Sequence, residues 1–385
     1  MIRDAARHAA LLARVRGWVR EVAMPSENDV AEADEIGPAL VTSMREEGFF
    51  GWSIPEEYGG AGMTAEELVT AAMELSQCAT AFRARVGTNT GIGSEALVVD
   101  GSEAQKRRYL PALASGEITG CFALTEEDAG SEATNLATTA RREGDGWVID
   151  GAKRFITNAP IAGLFTVLAR TDPKAKGARG IGAFLVEAGT PGLRTGEPYR
   201  KMGQAGSPVS DVYLENCRVP GDALLGGEAG SGFRTTMKVL NKQRLHLAAL
   251  CIGPAIRMLD EAVAHVSTRV QFGKPVAEHQ LVQAMIADSR TEIAAARALV
   301  LETARKRDAG KDTRLEASMC KYFASEMCGR VADRAVQMFG GSGYVADFAS
   351  IERFYRDVRL FRLYEGTSQI HQLNIARLVL AEHAE

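Results

Sequence analysis

The strongest constraint on the fold is a change of residue pattern at two points of the chain. Residues 1–120 are rich in Ala, Leu and Glu, which predicts helices interrupted by the Gly-rich loop 55–62. From about residue 121, short apolar runs alternate with Gly, Pro and Asp, a pattern that predicts strands. Beyond Phe233, apolar residues recur at helical spacing, and Pro becomes rare after Pro275. The chain should therefore fold as helices, then β structure, then helices.

The predicted β region opens with a hairpin. The apolar run 147–149 lies between Gly144-Asp145-Gly146 and Asp150-Gly151, and Asp-Gly beside apolar runs is a strong turn signal. Pro and Gly turns separate further predicted strands, at residues 165–170, 181–186 and 209–214. We therefore expect an α+β multidomain protein with three domains: an N-terminal helical domain (1–120), a compact β domain (121–235) and a C-terminal helical bundle (236–385).

Composition argues against several classes of function. With a net charge of −4 and a pI near 6.0, the chain has no broad electrostatic attraction to nucleic acid. The six cysteines include no C-x-x-C pair and no zinc-ligand spacing, so we expect reduced thiols and no metal site. No run of about 18 apolar residues and no secretory signal is visible, so no membrane span is expected. We expect a cytoplasmic protein, or a mitochondrial matrix protein if the source is eukaryotic.

Two segments near the start of the β region could line a ligand site. Segment 122–131 combines small residues with hydroxyls, which lets backbone donors approach a planar polar ligand. In segment 153–158, Phe155 and Thr157 lie two residues apart on a predicted strand and would share one face. Taken singly, the first pattern also fits a structural loop, and the second also fits core packing.

Two further segments lie in the C-terminal helical region. In segment 269–280, an Arg beside an aromatic residue suits a diphosphate and an adenine, although a helix end with a solvated charge would look the same. The last segment combines the Gly-rich run 337–344, Arg353, Arg356-Asp357 and the run 364–369, and it is the most specific of the four.

All four segments, in this order and spacing, resemble the acyl-CoA dehydrogenase family across essentially the full chain. The resemblance implies an N-terminal all-α domain, a middle domain of β-sandwich or barrel-like form, and a C-terminal four-helix bundle. It also implies FAD bound between the domains and subunits of a homotetramer. The substrate would be an acyl-CoA thioester, and an electron-transferring flavoprotein would accept the electrons.

The resemblance assigns the cofactor contacts residue by residue. The positions that match flavin-ring contacts are Phe122, Leu124, Thr125, Gly130, Ser131, Phe155, Thr157, Thr367 and Gln369. Ser131 also resembles a neighbour of the thioester arm. Contacts to the FAD diphosphate and adenosine match Arg269, Gln271, Phe272 and Gln280, with Gln337, Gly340 and Gly341 expected to reach FAD from a second subunit.

Glu365 matches the catalytic base of the family. A proton α to a thioester is weakly acidic, so preorganised donors must stabilise the developing enolate while a carboxylate removes the proton. Between Tyr364 and Gly366, burial should raise the pKa of Glu365, and Gly366 leaves room for the substrate. The resemblance implies that the β-hydrogen leaves as hydride to the flavin, which gives a trans-2-enoyl-CoA.

Some family branches carry the base on an earlier helix, directly before an Arg. Here that position is Gln243, which cannot accept a proton, so Glu365 is preferred. Arg244 resembles an Arg that supports the substrate and base region, with a surface charge as the alternative. Asn241 lies where an acid commonly meets the CoA arm, so the resemblance implies a substrate contact at this position, made here by an amide.

Arg83 falls where the glutaryl-CoA branch carries an Arg for the distal carboxylate of its substrate. Gly87 stands where that branch has a Ser, so we interpret Arg83 as a surface residue and treat its role in substrate binding as the alternative.

Two other classes share this resemblance. An acyl-CoA oxidase or another oxygen-using flavoenzyme would have the same fold, although the flavin monooxygenases generally lack the base. A non-catalytic, DNA-associated relative is the other alternative, but that branch relies on an extra basic C-terminal region. The run Gly341–Ala346 fits the G-x-G-x-x-A pattern of a dinucleotide site, yet it follows a predicted helix instead of a strand.

Overall fold

The N-terminal part of the chain is helical in the computed structural model, which describes residues 1–383. Trp18 and Phe49 pack edge to face, with ring centroids 5.0 Å apart, and anchor the core of this part. The helices are α1 (Ala5–Trp18), α2 (Glu27–Ala33), α3 (Pro38–Glu46), α4 (Ala65–Leu75), α5 (Thr80–Gly87), α6 (Gly93–Asp100) and α7 (Glu103–Ala114).

The middle region forms a curled, mixed sheet. Its strands are β1 (Gly120–Ala123), β2 (Thr139–Glu143), β3 (Gly146–Thr157), β4 (Leu164–Arg170), β5 (Ile181–Glu187), β6 (Leu193–Thr195) and β7 (Val209–Val219). β5 pairs along the whole length of β4, while β1 and β2 pair with different parts of β4 and both run parallel to it. The sheet then continues through β3, β7 and β6.

The two Asp-Gly signals have different structural roles. The predicted hairpin is confirmed, because β2 and β3 pair antiparallel around Gly144-Asp145. The second signal, Asp150-Gly151, is not a turn: it lies inside β3, where the pairing with β7 shifts register. A Cβ on Gly151 would lie 2.7 Å from the Cα of Thr138, so the glycine permits close backbone approach at a bulge.

The C-terminal region is a helical bundle with a small β-hairpin. Its elements are α8 (Gly232–Thr268), β8 (Val270–Gln271), β9 (Lys274–Pro275), α9 (Gln280–Asp308), α10 (Arg314–Phe339), α11 (Ile351–Val358) and α12 (Ser368–Glu382). The helices α8, α9 and α12 pack against α10. The order of helices, sheet and helices is thus confirmed, with the first strand beginning at Gly120 and α8 beginning at Gly232.

The three regions pack against one another around α8. Gly253 of α8 allows α4 to approach closely, because a Cβ there would lie 2.6 Å from the carbonyl oxygen of Met73. A buried ion pair between Glu27 and Arg353, 3.0 Å apart, ties α2 to α11. All six cysteines are buried and unpaired. Within residues 1–383, no helix combines the length and apolar character needed to cross a membrane.

Candidate active site

A cavity of about 480 Å³ lies where the three regions meet. Its walls come from α5, the loop after β1, the end of β3, α8 and the turn before α12. The structure therefore brings together residues that are far apart in sequence. The predicted site residues that line the cavity are Arg83, Phe122, Leu124, Thr125, Gly130, Ser131, Phe155, Thr157, Arg244, Tyr364, Glu365 and Gly366.

Glu365 lies in a tight turn between α11 and α12. Its φ is +54°, a conformation that a non-glycine residue rarely adopts, and Gly366 follows with a φ of +96°. Thr367 then caps α12 by accepting a hydrogen bond from the N–H of Ile370. This turn directs the Glu365 side chain into the cavity.

The Glu365 side chain is partly buried, and its exposed part faces the cavity. Its Oε2 atom has no hydrogen-bond partner among the described residues. Burial raises the pKa of Glu365 above its usual value. Three nearby cations oppose that rise and favour the charged form: Lys321, Arg83 and Arg244.

Two buried side chains that the sequence analysis did not identify hold this turn. Lys321 on α10 donates a hydrogen bond of 2.6 Å to the carbonyl oxygen of Gly366. The Nε2 atom of His371 on α12 lies 3.2 Å from the carbonyl oxygen of Glu365. One sequence signal could have identified Lys321: it lies at helical spacing from the apolar residues Ala317 and Ala324, on the face of the helix expected to be buried.

Arg83 is not a surface residue, so our preferred interpretation of it was wrong. Only 7% of Arg83 is exposed, because α5 is enclosed on all sides and has no surface face. Its Nη2 donates a hydrogen bond of 2.6 Å to the Tyr364 hydroxyl. The guanidinium also lies over the rings of Phe361 and Tyr364, 5.3 and 5.7 Å from their centroids.

Helix α8 contributes a polar wall. Arg244 is buried and donates a hydrogen bond of 3.0 Å to Asn241, which excludes the alternative of a surface charge for Arg244. Asn241 itself is not among the residues that line the cavity. His246, which the sequence analysis also missed, is buried at the cavity, and burial lowers its pKa to about 4, so its imidazole is neutral at pH 7.

A buried ion pair supports the loop that carries Gly130 and Ser131. Lys153 is fully buried, and its Nζ lies 2.6 Å from Oε1 of Glu126 and 3.3 Å from the carbonyl oxygen of Leu124. Glu126 also accepts hydrogen bonds from the N–H groups of Ala137 and Thr138. The pair therefore closes the loop between residues 126 and 138 beside the cavity.

The remaining predicted cofactor residues lie outside the cavity lining. Seven of them are exposed, on or next to the β8–β9 hairpin, at the start of α9 and at the end of α10: Arg269, Gln271, Phe272, Gln280, Gln337, Gly340 and Gly341. Thr367 and Gln369 lie at the start of α12. The His265 ring at the end of α8 stacks on Phe339, with centroids 4.3 Å apart. The end of α8, which leads into the hairpin, and the end of α10 are therefore neighbours within one chain.

The cavity lining fits a planar ligand with polar edges. Phe122, Leu124 and Phe155 provide apolar contact surface, while hydroxyls of the same walls can donate or accept hydrogen bonds, those of Thr125, Ser131 and Thr157. The volume is within the usual range for sites that take cofactors and small molecules. The residues present thus fit a flavin ring together with part of a second ligand near Glu365.

Comparison with known proteins identifies the family. Three acyl-CoA dehydrogenase domain models match the chain: the N-terminal domain at residues 5–117, the middle domain at 121–217 and the C-terminal domain at 230–380. The 3-(aryl)acrylate reductase of Clostridium sporogenes is 40% identical over 374 residues, which covers 97% of this chain and 98% of that protein. The CarC subunit of the caffeyl-CoA reductase–Etf complex of Acetobacterium woodii is 38% identical and covers 92% of each chain.

A solved structure agrees with these matches. Butyryl-CoA dehydrogenase from Megasphaera elsdenii superposes with a TM-score of 0.94 at 31% identity, over 99% of this chain and 100% of that one. The domain models together cover nearly the whole chain, and the cavity lies where their three domains meet. The chain therefore belongs to the acyl-CoA dehydrogenase family, whose members are FAD-dependent oxidoreductases.

Proposed function

We propose that this protein catalyses α,β-dehydrogenation of an acyl-CoA thioester to the trans-2-enoyl-CoA, with Glu365 as the base. One observation carries the proposal: the Glu365 side chain lines the cavity, its buried Oε2 atom has no hydrogen-bond partner among the described residues, and its turn is held by two other side chains. A carboxylate so placed is able to accept a proton from a bound ligand.

In this mechanism Glu365 removes the α-proton of the thioester. Burial raises its pKa, which makes the carboxylate a stronger base than an exposed Glu. Bound FAD supplies the acceptor for the β-hydrogen. The positive charges of Arg83 and Arg244, which both line the cavity, would favour the negative charge that develops on the substrate as the proton leaves. Phe122, Phe155 and the adjacent hydroxyls would hold the flavin ring.

Replacement of Glu365 by Gln tests the proposal. The variant keeps the shape of the side chain but cannot accept the proton. We expect anaerobic bleaching of the flavin absorbance by an acyl-CoA to slow by at least about 10²–10⁴-fold. FAD content, measured from the visible spectrum, should remain that of the wild type. Flavin reduction by Glu365→Gln at close to the wild-type rate would exclude Glu365 as the base.

Reduction of an enoyl-CoA is a second candidate for the physiological direction. The reductase names of two relatives favour it, and the same carboxylate, once protonated, could return a proton to the α-carbon. Paired assays separate the directions: oxidised enzyme with saturated thioesters, and reduced enzyme with aryl- and alkyl-enoyl-CoA. Reoxidation of the reduced enzyme by air in a stopped-flow instrument tests the oxidase alternative.

We further propose that the acyl group carries a hydrogen-bond acceptor, such as a carboxylate or a phenol oxygen, at its distal end. Arg83 and His246 are both buried at the cavity, and Nε of Arg83 and Nδ1 of His246 have no partner in the described part of the chain. Unpartnered buried nitrogen atoms are unfavourable until a ligand meets them. A simple alkyl chain would leave them unpartnered.

Matched thioesters test this acyl class. We expect glutaryl-CoA to exceed pentanoyl-CoA in kcat/KM, or the 4-hydroxyphenylpropanoyl thioester to exceed the phenylpropanoyl one, and Arg83→Met to abolish the preference. Arg85→Met is the control, because Arg85 is buried on the same helix but bonds to Thr119 away from the cavity lining. Equal rates for both members of each pair would contradict the proposal.

We also propose a homotetramer that passes electrons to an electron-transferring flavoprotein. The name of the CarC relative supports the partner, since that protein belongs to a complex with Etf. Support for the assembly comes from large apolar side chains that are exposed on a single chain near the predicted adenosine contacts: Phe272, Leu281, Tyr344 and Phe348. The flavoprotein acceptor can be tested by turnover with purified Etf and an acyl-CoA.

A further inference from the structure

The backbone on both sides of Gly366 is held by side chains from two different helices. His371 of α12 contacts the carbonyl oxygen of Glu365, and Lys321 of α10 donates to the carbonyl oxygen of Gly366. These two carbonyls define consecutive peptide planes. These planes flank Gly366, so the two side chains fix its positive-φ conformation and hold the turn on the C-terminal side of Glu365.

Lys321 is an unusual residue to find in a bundle core. Its side chain is fully buried, and within residues 1–383 it forms no ion pair. A buried ammonium group is unfavourable unless strong hydrogen bonds compensate for its lost hydration. The 2.6 Å hydrogen bond to Gly366 is such a compensation, and the nearby charge of Glu365 is a second one.

His371 complements Lys321 without adding charge. Burial lowers the pKa of His371 to about 3, so the ring is neutral throughout the physiological range. Since its Nε2 faces a carbonyl oxygen, this nitrogen carries the hydrogen and donates it. A Cβ on Gly366 would lie 3.0 Å from the same Nε2 atom, so the turn and the imidazole are closely packed.

We propose that Lys321, together with His371, is a positioning residue that fixes the Glu365–Gly366 turn and so aims the Glu365 carboxylate at the substrate. This inference rests on the proposed role of Glu365 as the base. Neither residue touches the reacting atoms; both act through the backbone of the turn. A displacement of about 1 Å in a catalytic group can cost about 10²-fold in rate, so a fixed turn has a direct kinetic consequence.

The test uses Lys321→Met in the FAD-loaded enzyme, because Met keeps an unbranched chain but lacks the charge and the donors. We expect flavin reduction in a single turnover to slow by about 10- to 10²-fold, while the Kd of a saturated acyl-CoA stays within about twofold. The acid limb of the rate–pH profile should move to higher pH. The cations facing Glu365 are Lys321, Arg83 and Arg244, and loss of one of them favours the protonated carboxyl.

Lys321 is itself faced by Cys251, Glu365, Arg244 and Glu326, so Lys321→Arg provides a check on the charge. We expect Lys321→Arg to retain the wild-type acid limb but not the full rate. Met327→Ala is the matched control: Met327 is buried in the core on the same helix, and its truncation should lower the melting temperature without moving the pH profile.

Should Lys321→Met fail to fold, His371→Phe gives the same test from the other side of the turn and should also slow flavin reduction. The proposal is overturned if the folded variants keep the wild-type rate and acid limb, or if Met327→Ala changes them equally. Parallel assays of Glu365→Gln separate the two levels. An active Glu365→Gln enzyme would refute the proposed base. If Glu365→Gln is inactive but Lys321→Met keeps the wild-type rate and pH profile, only the positioning role is refuted.

Discussion

The ionised carboxylate of Glu365 should lower the free energy of unfolding of the protein. Burial raises its folded-state pKa, so between its usual pKa and the raised value the folded protein binds more protons than the unfolded chain. Stability is therefore greatest below the usual pKa and falls as pH rises through the raised one. At any pH above the usual pKa, a charge on Glu365 is less favourable in the folded site than in the unfolded chain.

We predict that Glu365→Gln is more stable than the wild type at pH 8, and that this advantage shrinks as the pH approaches 4.5. Gln resembles the protonated side chain and does not lose stability with rising pH. Urea unfolding of both FAD-loaded proteins at several pH values measures the difference. A variant that is less stable than the wild type at pH 8 would contradict this prediction. It would show that the attraction between Glu365 and its cationic neighbours exceeds the free-energy cost of burying the carboxylate.

Single residues also show where sequence reasoning fails. The specific motif around Glu365 predicted a site position, and the structure places this residue in the cavity lining, whereas Arg83 was misread as a surface residue and Lys321 was not identified at all. Both errors have one physical cause: helix residues are buried by partners that are distant in sequence. Arg83 meets Tyr364, and Lys321 meets Gly366, through contacts that no local pattern encodes.

At the scale of elements, the loop between β1 and β2 depends on a buried ion pair. Glu126 and Lys153 connect the end of β1, the start of β2 and the middle of β3. Burial lowers the pKa of Lys153 to about 8, and its Glu126 partner is kept charged, so the pair is ionised at pH 7. Because this loop carries predicted flavin contacts, its closure should affect cofactor binding.

We predict that Glu126→Gln lowers the free energy of unfolding by about 3–5 kcal/mol, since Lys153 would be left buried without its counterion. FAD should also dissociate more readily, as measured by flavin fluorescence after dilution. Glu27→Gln is the control, because it breaks a buried ion pair with Arg353 away from the cavity lining. If Glu27→Gln released FAD equally, the effect would reflect global stability and not the loop.

Secondary-structure elements were predicted best where nearby residues in the sequence determine the local backbone conformation. The hairpin at Gly144-Asp145 and the strands after it follow from turn residues and apolar runs. Asp150-Gly151 has the same local signal, but the pairing of β3 with β7 makes it a bulge. A turn dipeptide identifies a place where the backbone can deviate, and the long-range partner decides whether it reverses direction or only bends.

At the scale of the whole molecule, the predicted FAD contacts other than Thr367 and Gln369 fall into two groups that one chain does not bring to one cavity. The first group lines the cavity, and the second lies on the β8–β9 hairpin and at the end of α10. The order of the three regions could be predicted from the sequence, since each follows from local periodicity. The assembly that would join the two groups depends on surfaces of a second copy and has no local signal.

We predict that Phe272→Ser weakens both the assembly and FAD retention. Phe272 is 95% exposed on the single chain, which is costly for an aromatic side chain unless a ligand or another subunit covers it. Light scattering over a range of protein concentrations, with the flavin absorbance recorded on the same samples, measures both effects. Ile161→Ser, at another exposed apolar position in the middle region, should change neither. If Phe272→Ser keeps the wild-type mass and flavin content, the hairpin does not join the cofactor site of a second subunit.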